Sequence, residues 1–473
     1  MRLIYISFFI LTTLFCYGQD CNCTKEMTYV VELVESNLPA YFDQVNDSNK
    51  QEYIKYKEYY KELSSFANTQ RECIATIKRY LSYFKDEHLY ITYKKEAFPV
   101  KDRSDTSEIK EFVQKEPVIE FEADTLNNKN KNSIEGVWQT LEGDYIIGIS
   151  ADKTKLYDYI GFVIETSNIY WKKGQIKFEF YKDKDDKIKC LGWGGFRTPY
   201  VSEIFLKCDT LQIGRNDFTF IRYIKGLEIY PKRKNKINTE LTFKILSEQT
   251  LYFGIPSFMG DQKHAIDSII MHNLPLLKTA KNLIIDVRNN LGGNSPCIYE
   301  LFPIIYTNPV TMGCIQQMAS LDNIRNMEFW RDNEVKKRYE RKSIDKSIKL
   351  MKTSIGTLLP CKPNIYTTKK TFENIKNVAV LANINSASTS EEFLLFCRQS
   401  KKTKLYGENS FGAISYGSVR GRDLPTLPYQ INIAMNKTGE PKEFESSGIP
   451  ADIYLNINEE DLWIEQVQKM IEK

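Results

Sequence analysis

The period of the apolar positions changes twice along the chain, and the changes divide it into three regions. From Lys25 to Phe84 apolar residues recur at spacings of three and four, as in "CIATIKRYLSYF", with no glycine in between. That spacing predicts packed amphipathic helices. From Glu135 to Tyr223 the pattern becomes short β-branched and aromatic runs closed by turn residues: "DYIIGIS", "YIGFVIE", "QIKFEFY", "EIFLKCDTLQI" and "DFTFIRY". Regular short strands of this kind predict a compact β-barrel or sandwich. After the basic connector "PKRKNKINTE", the strand-like runs "QTLYFGIPSF", "KNLIIDVRNN", "NVAVLANI" and "TKLYGENS" alternate with helical stretches such as "DQKHAIDSIIMHNLPLLKTA" and "SEEFLLFCRQS". Apolar strands alternating with helices predict an α/β core whose strands are largely buried. "DNEVKKRYERKSIDKSIKLMK" reads as a solvated helix face.

The boundaries that follow are a leader at 1–18, a helical domain at 19–123, a polar linker at 124–133, a β-rich barrel or sandwich at 134–230 and the α/β domain at 240–473. The opening "MRLIYISFFILTTLFCYGQD" carries one basic residue, Arg2, an apolar stretch from Leu3 to Phe15 and a small-residue site before Gln19. It is the pattern of a secretory signal peptide, so the mature chain is expected in the periplasm or outside the cell. Phe15 before Cys16 weakens a lipoprotein reading, and no later apolar run is long enough to span a bilayer. Neither nucleic acid nor a stable membrane anchor is expected as a partner, because 65 Lys and Arg against 61 Asp and Glu leave a net charge of only +4, spread along the chain.

Nine cysteines follow the leader, in a compartment that permits disulfides. Cys190 and Cys208 flank a hairpin that a bridge could staple, and Cys21 or Cys23 could reach Cys73. Cys297, Cys314, Cys361 and Cys397 lie in apolar surroundings without a recurring CxxC spacing and read as buried small hydrophobes rather than metal ligands. Trp138, Trp171 and Trp193 read as anchors of the β-rich core.

Two stretches carry chemistry. "LIIDVRNNLGGNSP" puts Gly292 and Gly293 just after a buried strand, where adjacent glycines turn the backbone sharply and can aim N–H groups into a cavity. Neither the dinucleotide nor the P-loop glycine pattern is present, so an oxyanion hole is the functional reading and a plain turn the structural one. "NINSASTSEEFLLFC" crowds hydroxyls at a strand-to-helix joint. Ser388 followed by Glu391 fits a capping box; equally, one of these hydroxyls could be a nucleophile on a tight turn.

The ordered set Asp-Val-Arg-Asn-Asn-x-Gly-Gly, "NSASTSEEF", "GENSFGA" and "FESSGIPADIYL", over residues 246 to 470, resembles the tail-specific or C-terminal-processing serine peptidases. The resemblance implies a crotonase-like α/β core and a peptide or protein substrate, with no metal or cofactor; it is compatible with a homo-oligomer. It places the nucleophile at Ser388. The branch with a lysine base is excluded by Ala413 in "GENSFGA". The branch resembling tricorn core proteases and retinoid-binding-protein repeats uses a histidine from the N-terminal region. "YFKDEHLYI" then implies His88 as general base, and "EFESSGIPADI" implies Glu445 as its direct or indirect orienter, with Glu443 as competitor. The Gly292, Gly293 and Thr389 backbone N–H groups are the implied oxyanion hole; Ser410, Asp286 and Arg288 are supporting residues. Glu87 stands where that branch has a serine, and no PDZ domain is evident. His264 and His272 read as surface or packing residues. The expected activity is peptide-bond hydrolysis through an acyl-enzyme; the alternative is an inactive peptidase fold that binds peptides or hydrophobic ligands.

Overall fold

The computed structural model of the chain describes residues 22–121, 126, 133–152, 156–183, 186–214, 218–224, 240–439 and 442–473. The leader, Cys21 and most of the 124–133 linker lie outside the described residues. Among those described, no helix is long and apolar enough to cross a membrane.

The N-terminal region is built from helices Cys23–Asn37, Pro39–Gln44, Lys50–Ser64 and Gln70–Leu81. Thr69 and Glu72 open the last of these with a full capping box, which satisfies backbone donors that the first turn leaves orphaned. Cys73, Ile74, Ile77 and Tyr80 along it are fully buried, and a Cys23–Cys73 disulfide ties it to the first helix. The helix ends in a 3-10 turn, Ser82–Phe84, and Lys85 adopts a left-handed conformation with φ 48°. The chain then enters the strand Tyr90–Tyr93, which pairs antiparallel with Tyr429–Ile433 near the other end of the sequence. The segment carrying His88 is thus held between buried Phe84 and the strand residue Ile91, which is part of the C-terminal region's sheet.

The β-rich region is a closed eight-stranded barrel running from Gly136–Thr140 to Phe218–Arg222, which pair with each other to complete it. Closure leaves no unpaired edge. The run "EIFLKCDTLQI" proves to be two strands, Pro199–Lys207 and Thr210–Ile213, because Cys208 turns the chain with φ 52°. This also explains why Cys190 and Cys208 are not bridged: the hairpin register sets Cys190 opposite Ser202, while Cys208 lies out at the turn. The three tryptophans are buried, and each lies under a cation: Arg222 over Trp138, Arg197 over Trp171 and Arg71 over Trp193, at 3.9, 4.0 and 4.1 Å.

The C-terminal region centres on a mixed six-stranded sheet in the order Thr242–Ile245, Thr250–Gly254, Asn282–Asp286, Asn377–Ala382, Thr403–Gly407, Ile453–Tyr454. All neighbours except the first pair run parallel. Alternate side chains serve opposite faces: Leu283 and Ile285 pack with the helices Gln262–His272 and Thr389–Arg398, while Ile284 packs under Trp463 of the last helix. Helices on both faces account for the unbroken apolar runs. Cys297 and Cys397 are buried and free, but Cys314 and Cys361 form a disulfide, where the sequence suggested four unbridged thiols. The bridge joins the two ends of an excursion containing helices Leu321–Asn333 and Arg338–Thr353.

Candidate active site

Asn282–Asp286 and Asn377–Ala382 are adjacent parallel strands paired Asp286 to Leu381, so their following loops emerge side by side at the carboxyl edge of the sheet. That edge is where open α/β sheets bind ligands. The first loop carries Gly292 and Gly293; the second carries Ser388 at the mouth of the helix Thr389–Arg398.

Asn290 knits the loops together. It is fully buried, its side-chain amide donates to Ile255 O, and its own carbonyl accepts the Ala387 N–H at 3.0 Å and the Ser390 hydroxyl at 2.8 Å. Asn383 adds a second tie, accepting the Asn289 N–H at 2.9 Å. Held this way, Ser388 takes φ 54° and ψ −115°, a conformation that costs a non-glycine residue about 1–3 kcal/mol and persists only where the surroundings impose it. Its N–H donates to Glu391 Oε2, the carboxylate half of the expected capping box. Glu391 does more than cap: it is buried and also accepts the Ser410 hydroxyl and the Gly412 and Ala413 N–H groups. Burial raises its pKa, and those donors oppose the rise.

The Ser388 hydroxyl faces His88 Nε2 at 3.2 Å, across 300 residues of sequence. For Nε2 to accept from the hydroxyl, Nδ1 must carry the proton. His88 is 9% exposed, and burial pushes its pKa down to about 4, which keeps the imidazole neutral.

Glu445 does not touch the imidazole; it accepts the Ile414 and Ser415 N–H groups at 3.0 and 2.7 Å and the Glu87 N–H at 3.4 Å. Its link to His88 therefore runs through the backbone of the neighbouring residue. Glu443 is exposed, and Glu87 accepts the Ser446 hydroxyl. The carboxylate beside the ring is Asp86, with Oδ1 3.8 Å from Nδ1 and accepting the His88 N–H at 2.8 Å. Sequence reasoning passed over Asp86, although it stands in the quoted "YFKDEHLYI"; only folding reveals that its side chain points inward.

Of the three oxyanion candidates, Gly292 donates its N–H to Asn290 Oδ1 and is not free to bind an oxyanion. What Gly292 contributes is proximity: at φ +92°, a Cβ there would lie 2.6 Å from Ala387 O and 2.9 Å from Ser388 Cβ. The Gly293 and Thr389 N–H groups donate to no acceptor among the described residues. Ser410 sits behind the nucleophile turn, donating to Glu391 and accepting from the Ile449 N–H. Asp286 and Arg288 form a clamp at the strand end, with Nη2 2.6 Å from Oδ2, and Tyr252 donates to the same carboxylate. They fix the loop's origin and do not reach Ser388. His264 and His272 are exposed on the helix Gln262–His272. Among the described residues, no group of three or more His, Cys, Asp or Glu could hold a metal ion.

A strained serine against a neutral imidazole, beside free backbone donors, is the arrangement that acyl transfer by a serine hydrolase requires. Residues 249–455 match the model of Peptidase family S41. Over that span the chain is similar to the family, and the match supports a serine peptidase. It is also similar to solved structures: a candidate peptidase from Parabacteroides merdae (14% identity, 95% of this chain and 97% of that one, TM-score 0.44) and mature CPAF (10%, 95% and 97%, 0.49). A third is the photosystem II D1 C-terminal processing protease (12%, 92% and 93%, 0.37). None of the curated proteins matches the sequence.

Proposed function

We propose that the mature protein is a secreted peptidase, exported to the periplasm or beyond, that cleaves peptide bonds with Ser388 as nucleophile and His88 as general base. Its core is of the crotonase-like type, and it belongs to the histidine-using branch. The 3.2 Å approach of His88 Nε2 to the Ser388 hydroxyl carries this reading, because an un-ionised serine needs a base within hydrogen-bond reach. Attack on the scissile carbonyl passes the hydroxyl proton to Nε2. The Gly293 and Thr389 N–H groups stabilise the developing oxyanion. Collapse returns the proton to the leaving amine and leaves an acyl-serine, which a water activated by the same imidazole hydrolyses. Glu445 supports the site by holding the Glu87 backbone, one residue from the base. Leu291 and Met259, 67% and 62% exposed beside the two glycines, offer an apolar lip to an extended peptide.

The test is labelling of the mature chain with a fluorophosphonate, with the adduct mapped by mass spectrometry. Labelling at Ser388 that disappears in Ser388→Ala and in His88→Ala is expected. A folded wild type that does not label would instead favour a peptidase fold that only binds.

A further inference from the structure

The ring of His88 is buried, and its Nδ1 is an orphan: it has no hydrogen-bond partner among the described residues. Asp86 Oδ2 is a second orphan among the described residues, on a side chain with no exposed surface whose other oxygen, Oδ1, stands 3.8 Å from Nδ1. Buried polar atoms without partners are rare in native proteins, and at a functional site each calls for an explanation. Here the two belong to complementary groups. Nδ1 must carry a proton for Nε2 to accept from Ser388, and a carboxylate oxygen stands 3.8 Å from it. We infer that Asp86, rather than Glu445, is the positioning carboxylate of His88: it fixes the Nδ1–H tautomer and pairs with the imidazolium when Ser388 gives up its proton. The inference rests on His88 being the base of the proposed reaction.

The geometry gives Asp86 two separable tasks. Its Oδ1 accepts the His88 backbone N–H at 2.8 Å, a local turn that shapes the segment. The second task is electrostatic, towards the ring. Glu445, by contrast, is occupied by three backbone N–H groups that belong to no imidazole. The other charged or titratable groups around Asp86 are Glu87, Glu445, Tyr416 and Lys78, and Lys78 donates to Leu89 O. Burial raises the Asp86 carboxyl and lowers the imidazole, and a carboxylate 3.8 Å from Nδ1 favours the charged ring.

Asp86→Asn separates the tasks, because asparagine keeps the oxygen that accepts the His88 N–H and loses the charge. The measurement is the pH dependence of fluorophosphonate labelling and of peptide turnover for the wild type, Asp86→Asn and Glu445→Gln, with thermal melts of each. A loss in Asp86→Asn of about 10²-fold or more is expected, with the acid limb moved to lower pH and the melt little changed. Glu445→Gln, which keeps one of the two accepting oxygens, is expected to keep its acid limb. An unmoved limb and a loss under threefold in a folded Asp86→Asn would overturn the inference, as would a moved limb in Glu445→Gln alone. If His88→Ala kept full labelling, the failure would lie with the proposed base and not with Asp86.

Discussion

Gly292 gives the sharpest test of how the nucleophile turn is held. Its N–H is bound to Asn290, so replacing it by alanine removes no oxyanion donor; the whole effect must come from the added methyl. At φ +92° an L-residue is strained by about 1–2 kcal/mol. The new Cβ would meet Ala387 O at 2.6 Å, Thr389 N at 2.8 Å and Ser388 Cβ at 2.9 Å, distances that real Cβ contacts essentially never show. Two of those atoms are backbone, so the turn itself has to retreat, by several tenths of an ångström towards an ångström. A misplacement of that order costs about 10²-fold in rate. Gly260→Ala is the control: φ there is +60°, but a Cβ would meet nothing within 4 Å, so it isolates the backbone strain. Labelling rate and peptide turnover would be compared for both variants alongside thermal melts. Gly292→Ala losing about two orders of magnitude while Gly260→Ala stays near wild type is expected; equal activities would refute the idea that close backbone approach sets the position of Ser388.

Two further outcomes follow from buried charges. Glu391→Ala leaves the N–H groups of Ser388, Gly412 and Ala413 and the Ser410 hydroxyl without their acceptor, at about 1–3 kcal/mol for each that water cannot reach. Both the melting temperature and the Ser388 labelling rate should fall, and a variant that melts like wild type would exclude the network. Lys177 is 3% exposed in the barrel region, its ammonium 4.4 Å from the Trp171 ring centroid and 4.9 Å from those of Tyr145 and Phe218, and burial lowers its pKa to about 7. A lowered lysine penalises the folded state fully below pH 7, and the penalty lifts as pH rises from about 7 towards the ordinary value near 10.5. At about 1.4 kcal/mol per pH unit this amounts to several kcal/mol. Chemical denaturation should show stability rising over that window in the wild type and a flatter, higher curve in Lys177→Met; an unchanged slope would rule out the buried charge as its source.

The outline of the fold is legible in the sequence because each region keeps one period over a long stretch. The helix Gln70–Leu81, the barrel strands and the parallel strands all bury a face that their spacing announces. What spacing cannot supply is register and partner. Cys190 lies in a hairpin as read, yet its cross-strand neighbour is Ser202; Cys314 and Cys361 look like buried hydrophobes until the excursion between them folds back and brings them together. The site shows the same limit. Ser388, His88 and Glu445 stand out in their motifs. Asp86, which faces His88, and Asn290, which holds the loop around Ser388, are ordinary polar side chains in one dimension, and burial is what gives them roles.

That distinction bears on how the site is assembled. Ser388 is held by loops of the parallel sheet, but His88, its proposed base, arrives from the helical region, and two kinds of tie set its position. One is the strand Tyr90–Tyr93 paired into Tyr429–Ile433; the other is a set of polar contacts clustered on the same side. Glu445 reaches the Glu87 N–H, Glu87 accepts from Ser446, and Asp43 takes both the Tyr416 hydroxyl at 2.9 Å and the Lys437 ammonium at 2.7 Å. The segment from Gly412 to Ser446 therefore binds the N-terminal region on one side and the nucleophile turn, through Gly412 and Ala413 donating to Glu391, on the other. A hydroxyl and an imidazole 300 residues apart reach 3.2 Å because this one segment is bonded to the carriers of both. Glu445 thus sits where the loss of one carboxylate would loosen the base without touching it, which accounts for a glutamate there without requiring it to meet the ring.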